Sequence, residues 1–131
     1  MKRIRAVEGL SPAAGPYSFA VIHAEMVFTA GQIGQTPEGT LIEGGIEAET
    51  HQVMRNLGKI LDKIDVGFRD VVKTTIYLTD ASDFGLVNEI YASYFPDHEY
   101  PVRETTVAAS LPLGARVEIS MIATLPDSNS Q

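Results

Sequence analysis

The chain contains no cysteine. That excludes disulfide bonds, thiolate catalysis and zinc–thiolate sites, and it fits a reducing compartment. No apolar run approaches the roughly 18 residues that a membrane-spanning helix needs. Nor does an apolar segment follow the basic residues at the N-terminus, as it would in a secretory signal. A cytoplasmic protein without a membrane partner is expected. Positive charge is scarce: 10 Lys and Arg stand against 17 Asp and Glu, giving a formal net charge of −7 and a pI of about 4.8. A surface that tracks nucleic-acid phosphates wants the opposite balance, so nucleic acid is not an expected partner. The single cationic cluster, Lys2-Arg3-Ile4-Arg5, reads as a solvated first strand. Phosphate-binding loops, the dinucleotide-binding glycine pattern and the Gly-x-Ser-x-Gly nucleophile elbow are all missing. His23, His51 and His98 are scattered, without metal-ligand spacing, and read as surface or packing residues. No metal is expected.

What remains is an ordinary globular composition, 44% hydrophobic and 21% charged. A length of 131 residues suits one domain. One domain over residues 1–125 is expected, followed by a polar tail over residues 126–131 that frays. Short strands are expected over residues 4–7, 17–22 and 26–30, the last two joined as a hairpin through His23-Ala24-Glu25. A long Gly-rich loop fills residues 31–45, and loops of this length in small domains are often functional. Val53, Met54, Leu57, Ile60, Leu61 and Ile64 recur at three- and four-residue steps, which predicts a helix over residues 46–64. A β-branched strand follows over residues 71–78. Asp80-Ala81-Ser82-Asp83 resembles a helix start, and the helix runs to Phe95 with Phe84, Val87, Tyr91 and Tyr94 on one stripe before Pro96 ends it. The last strands, over residues 102–109 and 116–123, are joined by Ser110–Ala115 and read as a hairpin. The pattern is α+β: one six-stranded mixed sheet with two helices on one face. No element is left to cover the other face, which predicts oligomerisation through it.

Alternation on the strands puts Arg103, Thr105 and Val107 on one face and Glu104 and Thr106 on the other. Glu118 shares a face with Arg116 and Ser120, flanked by Val117 and Ile119. If the last two strands pair as a hairpin, Arg103 and Glu118 lie near one another on the same face, subject to register. A guanidinium presents a planar fork that suits a carboxylate, and a nearby glutamate can position or deprotonate water. The alternative is an internal salt bridge between Arg103 and a neighbouring carboxylate, and spacing alone does not decide between them. Tyr17 is either a phenol donor to a pocket or a half-buried strand residue. Gly31, Gly34 and Gly39 either admit a ligand to the backbone or simply form turns.

Several segments together resemble the RidA family, also called YjgF or L-PSP. They are Ala14-Gly15-Pro16-Tyr17-Ser18, Ala30-Gly31-Gln32-Ile33, Gln52-Val53-Met54-Arg55-Asn56-Leu57, Thr75-Ile76-Tyr77-Leu78-Thr79-Asp80, Phe84-x-x-Val87-Asn88, Pro101-Val102-Arg103 and Val117-Glu118-Ile119. The match covers nearly the whole chain, in order and with the family's spacing. The resemblance implies a chorismate-mutase-like subunit in a homotrimer, with sheets packed inward and sites at the subunit interfaces. It also implies cofactor-free hydrolytic deamination of 2-aminoacrylate, 2-iminobutanoate and 2-iminopropanoate to 2-oxo acids and ammonia. Carried over by position, Arg103 matches the arginine that clamps the substrate carboxylate, and Glu118 the glutamate that positions water. Tyr17, Gly31, Thr105 and Asn88 match substrate-binding positions. This chain departs from the family at Ala30, where serine is common, at Gly34, where proline is frequent, and at Phe19, where a polar residue is usual. Val102 and Glu104, beside the arginine, replace small residues. These departures bear on substrate range. Two other functions are weighed against the deaminase: a non-catalytic trimer that senses 2-oxo or amino acids, and an endoribonuclease, which the acidic charge and the lack of a histidine pair disfavour.

Overall fold

In the computed structural model, which describes residues 1–126, the apolar stripe forms helix α1, Gly45–Lys63. Val53, Met54, Leu57, Ile60 and Leu61 on its inner face are completely or almost completely buried. Each such side chain contributes on the order of 1.5–3 kcal/mol, which makes α1 the main support of the core. Glu47 lies in its first turn and Lys63 in its last, the arrangement that the helix dipole favours. The second helix, α2 (Phe84–Ala92), starts after a 3₁₀ turn over Ala81–Asp83 and stops short of Phe95. Asp80 caps that turn, its carboxylate accepting from the Ser82 amide at 2.9 Å and the Ser82 hydroxyl at 2.7 Å.

Six strands make one sheet in the order β1-β2-β3-β6-β4-β5: β1 (Lys2–Ile4), β2 (Ala20–His23), β3 (Met26–Thr29), β4 (Val71–Leu78), β5 (Val102–Val107) and β6 (Val117–Thr124). The expected β2–β3 hairpin forms. Its two turn residues, Ala24 (φ 51°) and Glu25 (φ 64°), are both left-handed, as a two-residue turn that matches strand twist requires. β1 lies earlier than expected. β2 starts at Ala20, leaving Tyr17 in the preceding loop. The tail expected from residue 126 lies, beyond Pro126, outside the described residues.

The expected hairpin between the last two strands does not form. β5 pairs with β4 in parallel, and β6 pairs antiparallel with both β4 and β3. The reason is α2. A strand followed by a helix crosses over and returns parallel to itself, so β5 takes one edge of β4 and leaves the other to β6. The connection from β5 to β6 then passes over the end of β4, held by Ala108 N donating to Leu78 O (2.7 Å) and Thr79 N donating to Arg116 O (3.2 Å).

Strand alternation divides the side chains. Val71, Thr74, Ile76 and Leu78 of β4, with Val117, Ile119, Met121 and Ala123 of β6, are buried beneath the helices. The other sheet face is open, and Phe28, Val72, Tyr77 and Val102 are exposed hydrophobics. Two helices on one face and a bare second face match the architecture expected from the sequence. Among the described residues, no helix is long and apolar enough to cross a membrane.

Candidate functional site

β5 holds Arg103 directly across from Thr74 of β4, which directs its side chain to the helix-covered face. There the guanidinium carbon lies 5.5 Å from the centroid of the Phe84 ring and 5.2 Å from that of Tyr91. These distances are in the range of cation–π contacts. Phe84 and Tyr91 are seven residues apart, two turns of α2, so one helix face supplies both rings. Among the described residues no carboxylate lies within ion-pair distance of Arg103. The internal salt bridge weighed from the sequence is therefore not made there. Its neighbour Glu104 faces the other side of the sheet and pairs with Lys73 at 2.9 Å.

Around Arg103 are two of the other expected residues. Asn88, with Tyr91, Tyr100 and Pro101, lines a cavity of about 320 Å³ beside it. Thr105, with Phe84, Leu78 and Val107, lines another of about 450 Å³ on its other side. Asn88 Oδ1 and Thr105 Oγ1 are buried and have no hydrogen-bond partner among the described residues. Such atoms are uncommon in folded proteins, and each carries a desolvation cost that a bound polar group would offset.

The remaining three residues gather elsewhere. Tyr17, Gly31 and Glu118 line a cavity of about 470 Å³, together with Ser11, Pro12, Phe19, Ala30 and Leu113. Gly31 belongs to a segment that extends the sheet beside β6, through paired amide–carbonyl bonds between Gln32 and Ile119 (2.8 and 3.0 Å). The Glu118 carboxylate packs against Gly31 so closely that a β-carbon at Gly31 would overlap it. Burial raises the pKa of Glu118 above the ordinary glutamate value of 4.5. Tyr17 is half exposed, its ring edge-on to Phe19 at 6.4 Å, and its hydroxyl accepts from the Ala14 amide at 3.4 Å. Ala30, the departure from serine, leaves this cavity without a hydroxyl at that edge. Gly34, the departure from proline, packs on α1, where a β-carbon would come within 2.9 Å of Glu49 Cα.

The two groups of residues do not meet within one chain. Arg103 lies across from Thr74 and Glu118 across from Tyr77. Those β4 positions are three apart, an odd number, so Arg103 and Glu118 leave the sheet on opposite faces. The shared face expected from a β5–β6 hairpin is thereby corrected: β4 lies between the two strands. Phe84 and Tyr91 are the members of the Arg103 site that the sequence stripe concealed, because an aromatic at helical spacing reads first as core. Their seven-residue separation was the available signal.

The histidines stand apart from both groups. His51 Nδ1 lies 2.8 Å from the Tyr94 hydroxyl and His98 Nδ1 lies 3.0 Å from that of Tyr100. Among the described residues, no three His, Asp or Glu side chains gather in a metal-holding cluster.

Comparison with known proteins fits this geometry. The family described as Endoribonuclease L-PSP matches residues 9–125. The chain is 45% identical over 125 residues to Reactive Intermediate Deaminase A, chloroplastic, of Arabidopsis thaliana, covering 95% of this chain and 66% of that protein. It is 40% identical over 124 residues to the 2-iminobutanoate/2-iminopropanoate deaminase of Homo sapiens, covering 94% of this chain and 90% of that one. The crystal structure of E. coli TdcF with bound serine superposes with a TM-score of 0.88 at 31% identity, covering 95% of this chain and all (100%) of that one. With sequence and fold in agreement along almost its full length, the chain belongs to the endoribonuclease L-PSP family, the family also called RidA or YjgF.

Proposed function

We propose that this protein hydrolyses 2-imino acids and their enamine tautomers, among them 2-aminoacrylate, 2-iminopropanoate and 2-iminobutanoate, to 2-oxo acids and ammonia. The observation that carries the reading is Arg103: a guanidinium held by two ring faces, with no carboxylate among the described residues to neutralise it. A substrate carboxylate pairs with that fork through two parallel hydrogen bonds. The names of the human and Arabidopsis relatives support the reaction.

In the proposed reaction, Arg103 fixes the carboxylate and presents the adjacent imine carbon, electrophilic once its nitrogen is protonated. Glu118 orients a water and takes a proton from it as the oxygen bonds to that carbon, giving a carbinolamine. The proton then passes to the amino nitrogen, the C–N bond breaks, and ammonia leaves with the bonding pair. A second proton lost from the hydroxyl completes the 2-oxo acid. The partial burial that raises the Glu118 pKa makes its carboxylate a stronger base than an exposed one. Tyr17 and Gly31 line the water-bearing side, and Asn88 and Thr105 the carboxylate side. Holding water and imine in register supplies much of the rate.

Arg103 and Glu118 occupy opposite sheet faces, so one complete site takes Arg103 from one copy and Glu118 from the next. Such a head-to-tail contact makes a ring when its rotation closes, and we assign a homotrimer as that ring. The same proposal puts the protein in the cytoplasm, although one relative is named chloroplastic.

The test is direct. An amino-acid oxidase generates 2-iminobutanoate, and its loss is followed with and without the protein. The wild type should accelerate hydrolysis, and Arg103→Ala should lower kcat/KM at least about 100-fold while the oligomer persists, in line with loss of a charge-assisted bidentate contact. The bound serine of E. coli TdcF favours a second reading, a binder of small amino or oxo acids without turnover. Tight 2-oxobutanoate binding without acceleration would support that reading and refute the first. RNA cleavage that survives Arg103→Ala would instead support the family's endoribonuclease description.

A further inference from the structure

We propose that Tyr91 is a positioning residue: anchored through its hydroxyl to Thr74, it holds the Arg103 guanidinium by its ring face and so sets affinity for the substrate carboxylate. This rests on the reading of Arg103 as the clamp.

A guanidinium has five donors and a long, flexible stem. Left alone, it samples many rotamers, and binding a carboxylate has to freeze them. Here an ion pair with a resident carboxylate would hold the fork but also occupy it. The structure holds it by other means. Tyr91, 4% exposed, sits with its ring centroid 5.2 Å from the Arg103 guanidinium carbon. Attraction to a ring face leaves the N–H edges of the fork open to a ligand.

The ring is itself fixed. Its hydroxyl donates to Thr74 Oγ1 at 2.8 Å, and Thr74 is fully buried on β4, directly across from Arg103. Phe95 packs against the same ring with centroids 4.7 Å apart. The position of the fork is thus referred back to a buried position on an interior strand of the sheet rather than to a loop. Phe84, partly exposed, covers the guanidinium at 5.5 Å. Burial raises the pKa of the Tyr91 phenol, so the hydroxyl stays a donor at working pH. Committed to Thr74, it is not available as an acid for the reaction.

Four variants separate positioning from simple packing: Thr74→Val, Tyr91→Phe, the double variant carrying both, and Tyr91→Leu. Thr74→Val leaves a buried hydroxyl without an acceptor, which displaces the ring. The expected result is a rise of about 5-fold in KM for 2-iminobutanoate, with kcat changed less than about twofold. The double variant removes both polar partners and should restore KM to within about twofold of wild type. Tyr91→Leu, which loses the ring face, should raise KM about 10-fold or more. If these changes lower the melting temperature but leave KM where it was, Tyr91 is a packing residue and the inference is wrong. Should Tyr91→Leu fail to fold, the single and double variants at Thr74 decide the matter alone. A wild-type protein inert towards the imine would defeat the deaminase reading and not this one. The same ordering of the variants is then sought in 2-oxobutanoate affinity, where equal affinities would overturn the clamp.

Discussion

At Glu118, burial and charge work against each other. The carboxylate lies against Gly31 in a half-buried cavity, and desolvation lifts its pKa above 4.5. A carboxyl group whose pKa is raised by folding gives the native state stability that is fully present below its unfolded value and is lost as pH rises through the folded value. The ionised form at neutral pH is therefore a burden on the fold that the proposed chemistry requires. Glu118→Gln should melt at a higher temperature than wild type at pH 7, and thermal unfolding across pH should show the gap closing below about pH 4. The same variant should lose at least about 100-fold in kcat. Wild-type kcat/KM should itself fall on acidification with a midpoint raised above 4.5. A variant less stable at pH 7 than wild type would contradict this account of the site.

Arg116, just before β6, donates from Nη2 to both Asp83 carboxylate oxygens at 3.0 Å, and its backbone amide donates to buried Glu49 Oε1 at 2.8 Å. Three elements meet there: α1 through Glu49, the turn before α2 through Asp83, and β6. Asp83 is 7% exposed, so Arg116→Ala strands a buried carboxylate. The expected loss is about 2–3 kcal/mol in urea unfolding, with KM of any folded fraction little changed, because neither side chain lines any of the three site cavities. This junction was not legible in the sequence, since Glu49, Asp83 and Arg116 are ordinary charged residues at ordinary spacings. The helices were, because a stripe such as Val53-Met54-Leu57-Ile60-Leu61 has one physical solution. So was the β2–β3 turn. The β5–β6 pairing was not: a short connection suits a hairpin and a step over one strand equally well, and local sequence does not fix which strand comes between. That ambiguity carried straight into the site. All six residues expected there line cavities, but the parity that sends Arg103 and Glu118 to opposite faces follows only from strand order. Phe84 and Tyr91 read as core in the sequence because an aromatic stripe on a helix is what a core looks like.

For the whole molecule, the open sheet face and the divided site make one demand. Phe28, Val72, Tyr77 and Val102 leave apolar surface uncovered, and covering it with a second copy removes that surface from water. A subunit-mixing experiment tests whether the same contact completes the site. Arg103→Ala and Glu118→Gln should each be inactive alone. Unfolded together in equal amounts and refolded, they should regain about a quarter of wild-type activity, because about one interface in four then joins an intact Arg103 to an intact Glu118. Activity that stays at background, with mixed oligomers demonstrably present, would locate both residues in one subunit's site and refute the shared one.

The step of β6 across β4 has a further consequence for the chain's life in a cell. A newly made single copy carries both Arg103 and Glu118, yet has no one face on which they meet. On the proposed shared site, catalytic capacity rises faster than protein abundance while copies are few, and in simple proportion once assembly saturates. The threshold is written into strand order, and it operates before any substrate arrives.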